Sequence, residues 1–134
     1  MAVNNKKLGN SFERDFCLIA SEYGFWAHRL QDNKNGQPAD VIIAKGNQSA
    51  LVDCKVCENN VFPLIRMEEN QINAMKKWLY CGNAYAAFAL KLDDDIRIID
   101  YETLMKLRNL GTKSLDEEDI RRYSLPFAAW KEQF

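Results

Sequence analysis

Apolar positions along the chain recur at helical spacing in two long segments. In the first segment they are Leu8, Phe12, Phe16, Ile19 and Tyr23. This spacing of three and four residues predicts an amphipathic helix over residues 8–23, with Gly24 as its C-cap. Similar spacing predicts a second helix over residues 68–80, ended by Gly82. We expect Trp78, Tyr80 and Phe88 to be core residues because they lie in periodic apolar segments.

Short apolar, β-branched segments predict strands between and after these helices. They cover residues 25–30, 40–44, 50–55, 84–92 and 96–100. The five residues KGNQS separate the second strand from the third and indicate a hairpin of adjacent antiparallel strands. With a short helix over residues 101–107, the predicted order is αβββαββα, which indicates an α/β fold with a mixed central sheet flanked by helices.

The end of the chain predicts further structure. Ser114 and Glu117 have capping-box spacing, which predicts a small helix over residues 115–123. The apolar residues after it are Leu125, Pro126, Phe127, Trp130 and Phe134, and such residues need a surface to cover them. We treat residues 1–134 as a single domain, in which residues 108–134 form a C-terminal extension that packs on the core or on a dimer partner.

Composition narrows the possible chemistry. The chain has 134 residues, 47% of them hydrophobic, with four cysteines and one histidine. We expect a cytoplasmic protein with free thiols, because residues 1–14 lack the apolar core of a signal peptide. Cys54 and Cys57 form a C-x-x-C without a second pair at zinc-ribbon spacing, and His28 is better interpreted as a structural or surface residue. Carboxylates are therefore the expected carriers of any chemistry.

Charge alone gives no indication of a nucleic-acid partner. The net charge is −1, and no basic arm or stripe is present. The acidic excess lies after residue 92, whereas residues 1–92 have a small basic excess. If carboxylates among residues 1–92 bind a divalent cation, the remaining charge of these residues is positive, which suits binding to a phosphate backbone.

Three polar residues form the strongest chemical pattern. Asp53 and Lys55 are two apart on a predicted strand and therefore project from the same face. Asp40 begins the neighbouring strand, so the hairpin brings two carboxylates and an ammonium group together. Such a group suits Mg²⁺ and phosphodiester hydrolysis. Glu13, just off the apolar stripe of the first helix, is a further ligand that acts directly or through water.

The triplet of an acidic residue, any residue and lysine is not specific by itself. It also occurs at residues 32–34, in a turn-rich loop. The second occurrence ends an apolar strand and follows Pro38-Ala39-Asp40 at the distance of a hairpin. The alternative interpretation of Asp53 and Lys55 is a surface ion pair on an exposed strand face, worth under about 1 kcal/mol.

These residues resemble the PD-(D/E)xK nuclease superfamily. The segment KLGNSFERDFCLIASEYGFWAHRL, with PADVII after a Gly/Asn loop, is similar to archaeal Hjc-type Holliday-junction resolvases. The segment DCKVCENNVFPLIRMEENQI resembles the bacterial RecU-type resolvases. The resemblance covers residues 7–92 and implies a restriction-endonuclease-like core. Asp53 departs from the usual glutamate by being one methylene shorter, and the RecU-type stalk has no counterpart here.

The resemblance also implies roles for single residues. It makes Glu13, Asp40 and Asp53 the metal-binding acids and Lys55 the catalytic lysine, with Gln71 near the site. Arg14 and Arg29 match arginines that in the Hjc-type proteins are associated with DNA or the active site, so we assign them to phosphate contacts. Lys7, Lys34 and Asn35 are further expected DNA-binding residues. The Asn33–Gln37 loop is expected to contact phosphate.

We therefore predict an endonuclease that depends on Mg²⁺ or Mn²⁺ and resolves four-way DNA junctions by symmetric cleavage. Two equivalent cuts need two equivalent sites, which indicates a homodimer. The apolar C-terminal tail and residues 62–64 are the candidate interface. The alternatives are a related nuclease acting on flaps, nicks or ends, an inactive DNA-binding relative, and a structural protein with an accidental motif.

Overall fold

A computed structural model describes residues 5–31 and 37–134, apart from the side chains of residues 5 and 6. The helices are α1 (Asn5–Glu22), α2 (Glu69–Tyr80), α3 (Tyr101–Asn109), α4 (Glu117–Tyr123) and α5 (Phe127–Trp130). The strands are β1 (Trp26–Arg29), β2 (Val41–Lys45), β3 (Gln48–Val56), β4 (Phe62–Pro63), β5 (Tyr85–Lys91), β6 (Ile96–Asp100), β7 (Ser114–Leu115) and β8 (Leu125–Pro126). The core elements follow the predicted order.

Six strands form one mixed sheet in the order β1-β2-β3-β5-β6-β8. Strands β3 and β5 are parallel, and all other neighbours in this sheet are antiparallel. A parallel pair needs a crossover connection, and here the crossover includes α2. Strands β4 and β7 form a separate two-stranded sheet. The predicted mixed sheet flanked by helices is confirmed.

Two apolar layers cover the faces of the sheet. On one face, α1 packs through Phe12 and Phe16 against inward residues of the sheet such as Val52 and Ala87. The opposite layer contains α2 and α3, and its fully buried members include Met75, Phe88 and Leu104. Strand β3 is therefore buried on both faces along its middle.

The hairpin between β2 and β3 is tighter than predicted. Lys45 pairs with Gln48, so only two residues connect the strands. Gly46 has a φ of 64°, a conformation that glycine adopts without strain and that suits a two-residue hairpin. The strands consequently extend into the predicted five-residue connection.

Three local predictions are wrong. Helix α4 has its capping box at Asp116 and Asp119, because Ser114 pairs with Pro63 in the small sheet. Tyr80 is 90% exposed, since it lies about 140° around the helix from Met75. At the ends of the first predicted stripe, Leu8 and Tyr23 are also exposed, whereas Phe12 and Phe16 are buried and Ile19 is partly buried.

The C-terminal residues pack on their own chain. Strand β8 pairs with the edge of β6, and Trp130 donates a hydrogen bond from Nε1 to Asp100 Oδ1 at 3.0 Å. The ring of Phe127 lies 5.1 Å from that of Phe16. Phe127, Trp130, Phe62 and Leu64 are buried within the chain, so these side chains are not available for an interface, whereas Leu125 is 47% exposed. The interface role of the tail and of residues 62–64 otherwise stays a prediction.

The division into domains stays a prediction. None of the helices in the described part of the chain has both the length and the apolar character needed to cross a membrane. All four cysteines are free thiols, as predicted.

We expect Trp130→Ala to lower the free energy of unfolding by about 3–5 kcal/mol, because it leaves a large cavity and removes the donor to Asp100. Urea denaturation measures the change. Trp26→Ala is the matched control, since Trp26 is 60% exposed, and we expect it to stay within about 0.5 kcal/mol of wild type. Equal losses in both variants would contradict the anchoring role of Trp130.

Candidate active site

The β2–β3 hairpin fixes Asp40 beside the middle of β3. The backbone N–H of Asp40 donates to Val52 O at 3.2 Å, and its carbonyl accepts from the N–H of Leu30 at 2.9 Å. The side chain is held as well, because the backbone N–H of Cys54 donates to Asp40 Oδ2 at 2.8 Å. The predicted proximity of Asp40 to the Asp53 segment therefore rests on main-chain pairing.

The Asp53 carboxylate is fully buried. Gln71 Nε2 donates to Oδ1 at 3.0 Å. Lys55 Nζ lies 3.0 Å from Oδ2, close enough for an ion pair, but this contact is not aligned as a hydrogen bond. Within the described residues, Oδ2 therefore has no hydrogen-bond donor. Asp53 and Lys55 project from one face of β3, while Val52 and Cys54 belong to the opposite apolar layer.

Burial raises the pKa of Asp53 well above its ordinary value, because desolvation disfavours the charged carboxylate. The negative charge of Asp40 raises the pKa further, and the ammonium of Lys55 opposes both effects. Two neighbouring carboxylates repel each other, and the single positive charge of Lys55 does not balance two negative charges. A cation at this position relieves both the repulsion and the lack of a donor at Oδ2.

Gln71 is oriented by the start of α2. Its Oε1 accepts a hydrogen bond from the backbone N–H of Glu68 at 3.2 Å, which is part of the capping box of this helix. With its oxygen used in this way, the amide presents Nε2 to Asp53. The structure thus brings Gln71 to the predicted site, and helix capping is the local reason.

Gln37 is predicted from the sequence only as part of the loop expected to contact phosphate, and its role as a partner of Asp40 was missed. Its Nε2 donates to Asp40 Oδ1 at 2.6 Å, and its backbone carbonyl accepts from Asn70 Nδ2 at 3.2 Å. Both oxygens of the Asp40 carboxylate therefore accept hydrogen bonds. The only signal in the sequence is an amide residue three positions before the aspartate, which is weak because glutamine is common in loops.

Glu13 lies on α1, which packs on the other face of the sheet. It is 9% exposed, and Arg29 Nη2 lies 3.3 Å from its Oε1. Its charge contributes to raising the pKa of Cys54, the residue between Asp53 and Lys55. The described residues contain no group of three or more His, Cys, Asp and Glu side chains placed to hold a metal ion. A direct metal contact by Glu13 stays a prediction.

The roles of the other predicted DNA-binding residues stay predictions. Lys7 and Arg14 are exposed on α1. Lys34 and Asn35 lie outside the described residues. Arg66 is a basic residue that the sequence did not single out, and its Nη1 donates to the carbonyl of Val56 at the end of β3 at 2.7 Å.

The two carboxylates fit a hard divalent cation. Asp53 Oδ2 is buried without a hydrogen-bond donor, and the charge of Asp40 adds to the negative potential there. Mg²⁺ takes oxygen ligands and is usually bound through one or two carboxylates, with water and phosphate oxygens completing the shell. The thiols are poor ligands for a softer metal, because a metal binds the thiolate and burial favours the protonated thiol. Burial raises the pKa of Cys54 and raises that of Cys57 to about 11.

A mixed sheet flanked by helices, with two carboxylates and a lysine at a β hairpin, defines a nuclease of the PD-(D/E)xK class. The family model for the archaeal Holliday junction resolvase (Hjc) matches residues 4–125. The chain belongs to this family.

Solved structures agree on the fold. The chain is similar to Hjc from Archaeoglobus fulgidus, described as a Holliday junction resolvase from an archaeal hyperthermophile, with a TM-score of 0.68 and 19% sequence identity. The match covers 94% of this chain and 97% of that one. A search of curated proteins gives no significant match. The resemblance to RecU-type resolvases and the roles of the single site residues stay predictions.

We expect Asp53→Asn to gain stability relative to wild type as pH rises, in buffer without divalent cations. The folded-state pKa of Asp53 lies above the unfolded value, so its contribution to stability is present at low pH and lost as pH rises through the folded pKa. Each pKa unit corresponds to about 1.4 kcal/mol. Denaturant unfolding at several pH values measures the difference between the two proteins.

Asp94→Asn is the control for this measurement, because the Asp94 side chain is 84% exposed. The difference between this variant and wild type should change little with pH. If the Asp53→Asn and wild-type stabilities changed in parallel with pH, the raised pKa of Asp53 would be disproved.

Proposed function

We propose that this protein is a divalent-metal-dependent endonuclease that resolves four-way DNA junctions by paired, symmetric cuts. Family membership supports the class of reaction and the branched DNA substrate. The observation that carries the assignment of the site is the buried Asp53 carboxylate, with Oδ2 lacking a donor and Lys55 Nζ 3.0 Å away. An ion pair of purely structural function has no need of a buried oxygen without an aligned hydrogen-bond donor.

Asp40 and Asp53 would hold the metal ion, which we propose to be Mg²⁺ or Mn²⁺, with Glu13 as a further ligand. When bound, such an ion stabilises charge on a phosphate and makes a coordinated water more acidic. Cys54 N–H and Gln37 hold the two oxygens of Asp40, so its position does not depend on the ion.

Lys55 supplies positive charge at the place where phosphate charge develops. Its side chain is only 12% exposed, so the ammonium is poorly screened by water and interacts strongly with an approaching phosphate. Gln71 is a positioning residue, because it contacts Asp53 and the start of α2.

DNA contacts would come from basic residues around the site, in a protein whose net charge is −1. Arg29, held by Glu13, has a side chain that is 36% exposed and can also contact phosphate. Lys7 and Arg14 on α1, with Lys34 and Asn35, are the remaining proposed contacts. Backbone contacts of this kind recognise the shape of DNA rather than its sequence.

The symmetry of the substrate supports a homodimer. Paired cuts on opposite strands require two sites related by a twofold axis, and C2 homodimers are the commonest arrangement that supplies them. Since Phe62, Leu64, Phe127 and Trp130 are buried in the chain, these four side chains do not form the proposed dimer contact. Sedimentation of the free and junction-bound protein measures the number of subunits.

The test of this function is cleavage of a labelled four-way junction, with linear duplex and flap DNA of the same sequences as competitors. We expect paired symmetric nicks with Mg²⁺ or Mn²⁺, and no cleavage with EDTA. Asp53→Asn and Lys55→Ala should each lower the rate at least about 100-fold, because each removes charge next to the reacting phosphate. Single-turnover rates on gels provide the measurement.

Matched exposed residues serve as controls. Asp94→Asn and Lys77→Ala make the same chemical changes on exposed positions, and we expect wild-type rates from both. Cleavage of flaps or ends instead of junctions would indicate a different DNA substrate for the same site. Junction binding without cleavage under either metal would contradict the enzyme.

Gln71→Leu should lower the cleavage rate about 10- to 100-fold, which is typical of losing a group that orients a metal ligand. The required metal concentration should also rise, since Asp53 loses its amide donor. Asn73→Leu, at an exposed position two residues further along α2, is the control. A Gln71→Leu variant with unchanged rate and unchanged metal dependence would exclude the positioning role.

A further inference from the structure

An aromatic pair is exposed on β1, outside the site described above. The rings of Trp26 and His28 are stacked, with their centroids 5.6 Å apart and their planes at 13°. Trp26 is 60% exposed, so this large side chain contributes little to the core. We call this pair the aromatic shelf.

Strand register places the aromatic shelf on the same face of the sheet as Asp53. His28 pairs with Ile42, and Ile42 pairs with Leu51, which precedes Asp53 on the same face of β3. With about 4.8 Å between strands and about 6.7 Å between alternate residues, the Cα atoms of His28 and Asp53 are roughly 12 Å apart. The same spacings place Trp26 roughly 16 Å from Asp53.

The helical layer on this face leaves the aromatic shelf uncovered. Helix α2 packs on β3 and β5, and α3 packs on β5 and β6. On β1 and β2, the same face carries Leu30, Ile42 and Ala44 beside the shelf, and none of these residues is acidic. A polyanion therefore meets no repulsive side chain at these positions between the active site and the shelf.

We propose that the aromatic shelf stacks on a DNA base close to the branch point, within about five base-pair steps of 3.4 Å from the cut phosphate. This inference rests on the proposed function. Bases at a branch lack one stacking neighbour, and an aromatic ring can replace it whatever the base. The shelf thus gives a preference for branched DNA that a net charge of −1 does not provide.

The experiment measures binding of a fluorescent four-way junction by anisotropy without divalent cations, and then cleavage with Mg²⁺. Trp26→Ala should weaken junction binding roughly 5- to 150-fold, the range found for the loss of one stacked aromatic. His28→Ala should act in the same direction, and Trp26→Phe should restore most of the affinity. Linear duplex binding should change far less.

Tyr80→Ala is the matched control. Tyr80 is another exposed aromatic residue, and it lies nine residues beyond Gln71 on α2, about 14 Å along the helix axis. We expect wild-type affinity from this variant. The far-UV circular dichroism and urea midpoints of all variants check that they are folded.

Tryptophan fluorescence gives a second readout. Trp130 is buried and Trp78 is partly buried, so Trp26 is the tryptophan that a base can reach. Junction binding should quench wild-type emission, and the quenching should be lost in Trp26→Ala.

The outcomes separate this inference from the proposed function. If wild type cuts the junction but Trp26→Ala and Tyr80→Ala bind it as tightly as wild type, the aromatic shelf is disproved and the nuclease stands. If wild type neither binds nor cuts the junction, both fail. If Trp26→Ala changes the sedimentation mass but not the DNA affinity, the shelf is a contact between two copies of the chain.

Discussion

The burial of the Asp53 carboxylate is the constraint on which the other features of the site depend. A charged group without exposed surface is costly unless its neighbours compensate for it. Lys55 supplies the opposite charge, Gln71 supplies one hydrogen bond, and nothing in the described chain supplies a donor to the second oxygen. The side chains of the site are therefore held in place, but one carboxylate oxygen still lacks a hydrogen-bond donor. An added cation stabilises such an arrangement most strongly.

The parallel pairing of β3 and β5 explains how the compensating groups reach Asp53. This pairing requires a crossover, and α2 lies within it, so the start of that helix is delivered to the face of β3 that carries Asp53 and Lys55. The capping of α2 then orients Gln71. Helix α1 covers the opposite face of the sheet, and there Glu13 pairs with Arg29.

Local patterns allowed much of this arrangement to be predicted. The alternation along β3 correctly placed Asp53 and Lys55 on one face, because the side-chain period of a strand does not depend on its surroundings. The bond from Gln37 to Asp40 depends on how the preceding loop returns to the sheet, which no periodicity encodes. The capping of α4 was misassigned because Ser114 and Asp116 are equally suitable caps, and only the pairing of β7 with β4 distinguishes them.

The pairing of β8 with β6 has a consequence for the order of folding. Until residues 125–130 have left the ribosome, the outer edge of β6 presents unpaired backbone groups, and the cavity filled by Trp130 stays open. Exposed strand edges are sites of aggregation. The last part of this sheet to be synthesised thus protects its edge, and a nascent chain that stalls shortly before residue 125 is the form most exposed to mispairing with other chains.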